Sequence, residues 1–179
     1  MKFLAALTYI LSLSAHAAGG VSGGGGNLIS PIVPLEKQDP REIRHIIRGS
    51  KDLLKNFVDA KYALYLSGSM DFQSLRLYSA LFADSKHNLH EVMEKITIDI
   101  PLDKPCYDNQ GQSFDGSTVD QTSYSICISA FNIAQKCDEN QVPLQATALI
   151  FHEFSEVAGL SDEDAITLQT EVLNELKVW

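Results

Sequence analysis

Basic residues are few in this chain. Fourteen Lys and Arg stand against 23 Asp and Glu, for a formal net charge of −9. A surface of that sign repels phosphate backbones and anionic lipid, so nucleic-acid binding is disfavoured. Cysteine is also scarce, with three residues at Cys106, Cys127 and Cys137 and no C-x-x-C pair. That spacing argues against cysteine-held zinc, and the sequence suggests no His partner for a catalytic thiol. The apolar stretch over residues 3–13 is too short to span a bilayer. No internal repeat is visible, and the length suits one domain with an adequate core.

What is present at the start reads as a secretory signal over residues 1–18. Lys2 supplies the charged region, residues 3–13 the apolar region, and Ala15-His16-Ala17 the small-x-small cleavage pattern. No Cys sits at the cleavage point to carry a lipid anchor. The expectation is export to the bacterial periplasm or the extracellular space, with no stable membrane insertion after cleavage. Cleavage removes one base and no acid, leaving 13 basic and 23 acidic residues and a net charge of −10. Residues 19–38 are expected to be a Gly/Pro-rich flexible tether, glycine-rich to Asn27 and beyond it an extended segment able to lie against the domain. Residues 39–179 are expected to form a single globular domain.

Asp39-Pro40 pairs an N-cap with proline at the first helical position, and Ile43, Ile46, Ile47, Leu54, Phe57 and Val58 follow at helical spacing. The spacing predicts a helix over residues 40–66, with a break admitted at Gly49-Ser50, and a second over residues 71–82. Residues 95–102 (KITIDIPL) and 123–129 (SYSICIS) have the β-branched, alternating pattern of half-buried strands. Residues 106–117 read as a hairpin turning at Asp108–Gly111, without the EF-hand spacing. A short helix capped by Ser129, one starting near Pro143, and a last one capped by Ser161 complete the chain. The expected class is therefore α+β, a mainly helical single domain with a small sheet beside the Pro143 helix.

That helix organises the chain. In ATALIFHEFSEVAGLSDED, residues 146–164, the side chains of Ile150, Phe151, Phe154, Val157 and Ala158 share one apolar arc. His152 and Glu156 fall opposite, one turn apart, with Glu153 further round the same polar half. Leu149 and Leu160 also point this way, so this side can be partly covered. An imidazole and a carboxylate at i and i+4 converge on one point, as metal ligands do on a helix. The plain alternative is an amphipathic helix whose acids face water. His87-x-x-His90-Glu91 is the other His-rich cluster, and it reads most simply as a polar junction between loop and helix.

The segment HE-x-x-E-x-x-G-x-x-D, from His152 through Gly159 to Asp162, resembles the zincin metallopeptidases in their metzincin-like pattern HE-x-x-H-x-x-G-x-x-H/D. It also looks like small exported bacterial proteins of unassigned function that carry HE-x-x-H-x-x-G-x-x-(D/E)-(D/E). The resemblance implies His152, Glu156 and Asp162 as metal ligands, with Glu163 or Asp164 as the alternative third ligand, and Glu153 as general base. It implies Zn2+, with Mn2+ or another divalent ion admitted by the oxygen-rich donor set. Two positions differ from the metzincin pattern: Glu156 replaces the second His, and no Met follows Met93. Extra negative charge on the ion makes a weaker Lewis acid, so a slow or specialised peptidase acting on peptides or cell-envelope proteins is expected. The alternative is a zincin-like metal-binding or protein-binding module without turnover. Three cysteines in an exported chain predict one disulfide and one buried thiol, and Cys106–Cys137 is the expected pair, with Cys127 mid-strand in the core.

Overall fold

Asp39 is extended and its carboxylate accepts the Arg41 N–H at 2.8 Å, while Pro40 occupies the first turn, where no N–H is needed. α1 then runs unbroken over Pro40–Leu66. At the expected weak point Ser50 turns its hydroxyl back to the Ile46 carbonyl, which keeps the helix satisfied. α2 (Phe72–Ala83) and α3 (Leu89–Lys95) follow. The computed structural model describes residues 25–83, 88–120 and 124–177. The expected signal, the tether's residues 19–24, His87 and Ser123 lie outside them.

The strands are short. β1 (Thr97–Asp99), β4 (Gly116–Asp120) and β5 (Ser125–Ile128) form one sheet in the order β1-β5-β4. β1 runs parallel to β5, and β4 antiparallel to it with Thr118 opposite Ile126. β2 (Cys106–Tyr107) and β3 (Ser113–Phe114) make the small hairpin, whose turn is held by the Asp108 carboxylate accepting the N–H groups of Gln110 and Gln112. Sequence reading did not anticipate β4.

α4 (Ala130–Lys136), capped by Ser129, leads to α5 (Val142–Val157) and α6 (Asp162–Leu176). α5 is the central element. Every residue from Gln145 to Val157 is buried, with α1 and α6 on two sides and β4 and β5 on a third. Phe151 meets Phe57 of α1 edge to face at 5.7 Å. The architecture is α+β, mainly helical, with the small sheet beside the helix that carries His152, Glu153 and Glu156. Among the described residues, no helix is long and apolar enough to cross a membrane.

Two expectations are corrected. The disulfide joins Cys106 to Cys127, with Cα atoms 5.8 Å apart, and Cys137 is the buried thiol. Cys127 sits opposite Ser117 of β4, whose hydroxyl reaches the Tyr107 carbonyl next to Cys106, so the hairpin lies over this sheet position. Cys137, at the end of α4, lies in the apolar core instead, where burial pushes its thiol pKa up to about 11. The glycine-rich stretch is not loose at its end either: Gly26 is buried and bonded to Glu153, while residues 28–38 lie against the domain as expected, through bonds to Asp115, Gln145, Gln141 and Ala134.

Candidate functional site

His152, Glu153 and Glu156 are each fully buried. This overturns the reading of their helix face as solvated. The polar side of α5 is covered by β4, by α6 and by the segment around Gly26, so three ionisable groups sit in the interior at a cost that needs a compensating partner.

Gly159 sets the geometry of the chain reversal. Its φ is +99°, a conformation L side chains rarely adopt. The Gly159 N–H donates to the Glu156 carbonyl at 2.9 Å and the Leu160 N–H to the Ser155 carbonyl at 3.0 Å, which closes α5 with paired bonds of the Schellman type. The chain turns at once into α6, capped by the Ser161 hydroxyl on the Asp164 N–H. Asp162 therefore returns to the ring of His152, with Oδ1 3.4 Å from Nε2.

One ligand atom each from His152, Glu156 and Asp162 lies within 4.8 Å of the other two. Of the two alternative third ligands, Asp164 is instead paired with Arg76 at 2.6 Å and Glu163 is exposed on the first turn of α6. His90 packs against Tyr62 and Phe82 and is 3.6 Å from Asp59, away from this group.

Neither nitrogen of the buried His152 ring has a hydrogen-bond partner among the described residues. Such orphaned groups are rare in folded proteins and cost about 1–3 kcal/mol each. Burial also holds the imidazole pKa below its usual value, against the opposing pull of Asp162 and of the nearby Gln169 amide. A neutral ring with an unused nitrogen facing two carboxylates is a donor set that fits a divalent cation.

Thr118 on β4 was not singled out by sequence, yet it sits between the two glutamates. Its Oγ1 is 3.0 Å from Glu153 Oε2 and 3.1 Å from Glu156 Oε2. A hydroxyl has one proton to donate, so it cannot satisfy two ionised carboxylates together. Burial, then the neighbouring Glu156 charge, push the Glu153 pKa well up, with Gly26 and Thr118 pulling the other way. Burial pushes Glu156 up to about 7.

Gly116, Gly26 and Gln169 were missed as well. A Cβ on Gly116 would lie 2.8 Å from Glu153 Oε1, so only glycine lets β4 come this close to α5. Gln169 is buried in the otherwise apolar stripe of Ala165, Leu168 and Val172, and seven residues after Asp162 it shares that residue's side of α6. A Gln inside such a stripe is a readable signal; the two glycines give none.

The chain matches no family model, no curated protein and no solved structure.

Proposed function

We propose that this chain is an exported metal-dependent peptidase, with zinc the first choice of ion and manganese the second. The observation that carries the reading is the convergence of His152, Glu156 and Asp162 within 4.8 Å around an imidazole whose nitrogens have no hydrogen-bond partner among the described residues. His152 and Glu156 would hold the ion from α5 and Asp162 from the start of α6. A divalent ion there supplies Lewis acidity, which makes water a nucleophile near neutral pH.

The remaining work falls to the chain's own groups. Glu153, one residue after the His ligand, is the group to take a proton from the attacking water and to return it to the leaving amine. Thr118 keeps Oε2 of Glu153 oriented, and Oε1, which accepts the Gly26 N–H, handles the proton once that N–H leaves it. A cavity of about 370 Å³ opens beside His152 and Asp162, bordered by Phe114, Gln169 and residues 25–29. The Cys106–Cys127 disulfide supports an oxidising compartment.

A second reading is a metal-binding module without turnover. It is favoured by the engagement of both Glu153 oxygens, Oε1 by Gly26 and Oε2 by Thr118.

Metal analysis and peptide turnover separate these readings. One tightly held divalent ion per chain is expected, lost in His152→Ala and kept in Glu153→Gln. Turnover of a peptide mixture that disappears in Glu153→Gln supports the peptidase. A chain that stays metal-free after incubation with zinc or manganese removes both readings.

A further inference from the structure

Residues 25–29 cross the front of the site without forming a helix or strand of their own. The Gly26 N–H donates to Glu153 Oε1 at 2.9 Å. The Gly26 carbonyl accepts the Gly116 N–H at 3.0 Å, on the edge of β4 away from β5. The Asn27 carbonyl accepts from Gln169 Nε2 at 2.9 Å, and the Ile29 carbonyl from Gln145 Nε2 at 2.9 Å. The Leu28 N–H donates to the buried Asp115 carboxylate at 3.1 Å. Every one of these bonds goes to the backbone of the segment. A groove that grips main chain in this way recognises an extended strand whatever its side chains.

Side chains matter at three positions. A Cβ on Gly26 would stand 2.8 Å from Glu153 Oε1 and 2.9 Å from His152 Cδ2, and a Cβ on Gly25 would strike the Phe114 ring at 2.2 Å. Further along, Leu28 is buried in the apolar core. The arrangement therefore selects glycine opposite His152 and Glu153, with an apolar residue two positions on.

We propose that this groove is a binding site for extended peptides with glycine opposite Glu153, and that residues 25–29 occupy it as the chain's own competitor. As a substrate groove it rests on the peptidase reading above; as a binding groove it needs no ion. A strand tethered to its own groove acts at an effective concentration of about a millimolar. An external peptide is then weakened by the fraction of time the groove stands open.

The test uses the full chain, its Gly26→Val and Leu28→Asp variants, and a fluorescent probe of sequence Gly-Gly-Asn-Leu-Ile. Valine clashes in the groove, whereas Leu28→Asp removes the core anchor and leaves the groove untouched. Both variants should bind the probe about tenfold or more tighter than the parent chain, the ratio for a groove closed nine-tenths of the time. A second probe, Gly-Val-Asn-Leu-Ile, should lose about tenfold or more on the same variants. Equal affinity across all three proteins, no binding to any, or indifference to the valine overturns the inference. In the parent chain the Gly26 and Leu28 N–H groups should exchange slowly with solvent, and exchange at the open-chain rate overturns it even if neither variant folds. Zinc titration of the same samples keeps the two ideas apart. Variants that hold zinc but not the probe sink the groove alone; those that hold the probe but no ion sink the metal alone.

Discussion

The Thr118 hydroxyl lies 3.0 Å from Oε2 of Glu153, a contact made across 35 residues of chain by the central position of β4. It serves Glu156 from the other side at 3.1 Å, so one hydroxyl is the shared polar floor of both acids. Removing it leaves buried carboxyl oxygens without that partner. In metal-free protein Thr118→Val should lower stability by about 1–3 kcal/mol, read from urea unfolding with chelator present. An unfolding curve superimposable on that of the parent protein would show that the hydroxyl contributes nothing.

Asp162 and Asp164 stand two residues apart on the first turn of α6 and should differ in consequence. Asp162→Asn should weaken zinc binding on the order of 100-fold, the upper end of what even outer partners of a metal contribute. Asp164→Asn, which loses only the exposed Arg76 contact, should leave it unchanged. Gly159→Ala should act like a milder Asp162→Asn, because strain at φ +99° costs about 1–3 kcal/mol and shifts the start of α6. Competition titration against a zinc dye ranks the three variants, and equal losses for Asp162→Asn and Asp164→Asn would remove Asp162 from the ligand set.

Without metal, stability should rise as pH falls from 8 to 6.5. Both glutamates have folded pKa values raised above 4.5, Glu156 to about 7, so the folded chain binds more protons than the unfolded one in this window. The gain should be on the order of 1 kcal/mol, about 3 °C in melting temperature. Below pH 6.5 the depressed His152 works against it, since the unfolded imidazole takes up a proton first. Saturating zinc should reverse the slope, because ligands must be deprotonated to hold the ion. Melting temperatures that do not move with pH in chelator would contradict the burial of these acids.

Peptide mapping under non-reducing conditions should find Cys106 linked to Cys127, with Cys137 alkylated only after denaturation. The bridge closes a loop of 21 residues of separation. Its reduction should cost about 3 kcal/mol and should loosen the β2–β3 hairpin from β5 before the helices melt. A Cys106–Cys137 peptide would restore the pairing expected from sequence.

Local chemistry accounts for most of the secondary structure. Asp39-Pro40 starts α1, Ser129 and Ser161 cap their helices, and Gly159 ends α5, because each acts through bonds within a few residues of itself. The grouping of His152, Glu156 and Asp162 was legible for the same reason, since one helical turn and one glycine reversal bring them together.

What surrounds that group depends on contacts far apart in the chain. β4 is short and centred on a Thr flanked by Ser and Val, a pattern too slight to announce a strand. Its Thr118 reaches Glu153 only once β5 is paired beside it. Gly26 reads locally as a linker because a glycine has no side chain to signal burial, and its place over Glu153 is set across 127 residues. The disulfide partner of Cys106 was chosen in the same way, by which strand lies under the hairpin. Sequence by itself determined the helices, their caps and a line of candidate ligands. Only tertiary packing decided that His152 and Glu156 are buried and what covers them, because burial comes from elements distant in the chain that no local spacing records.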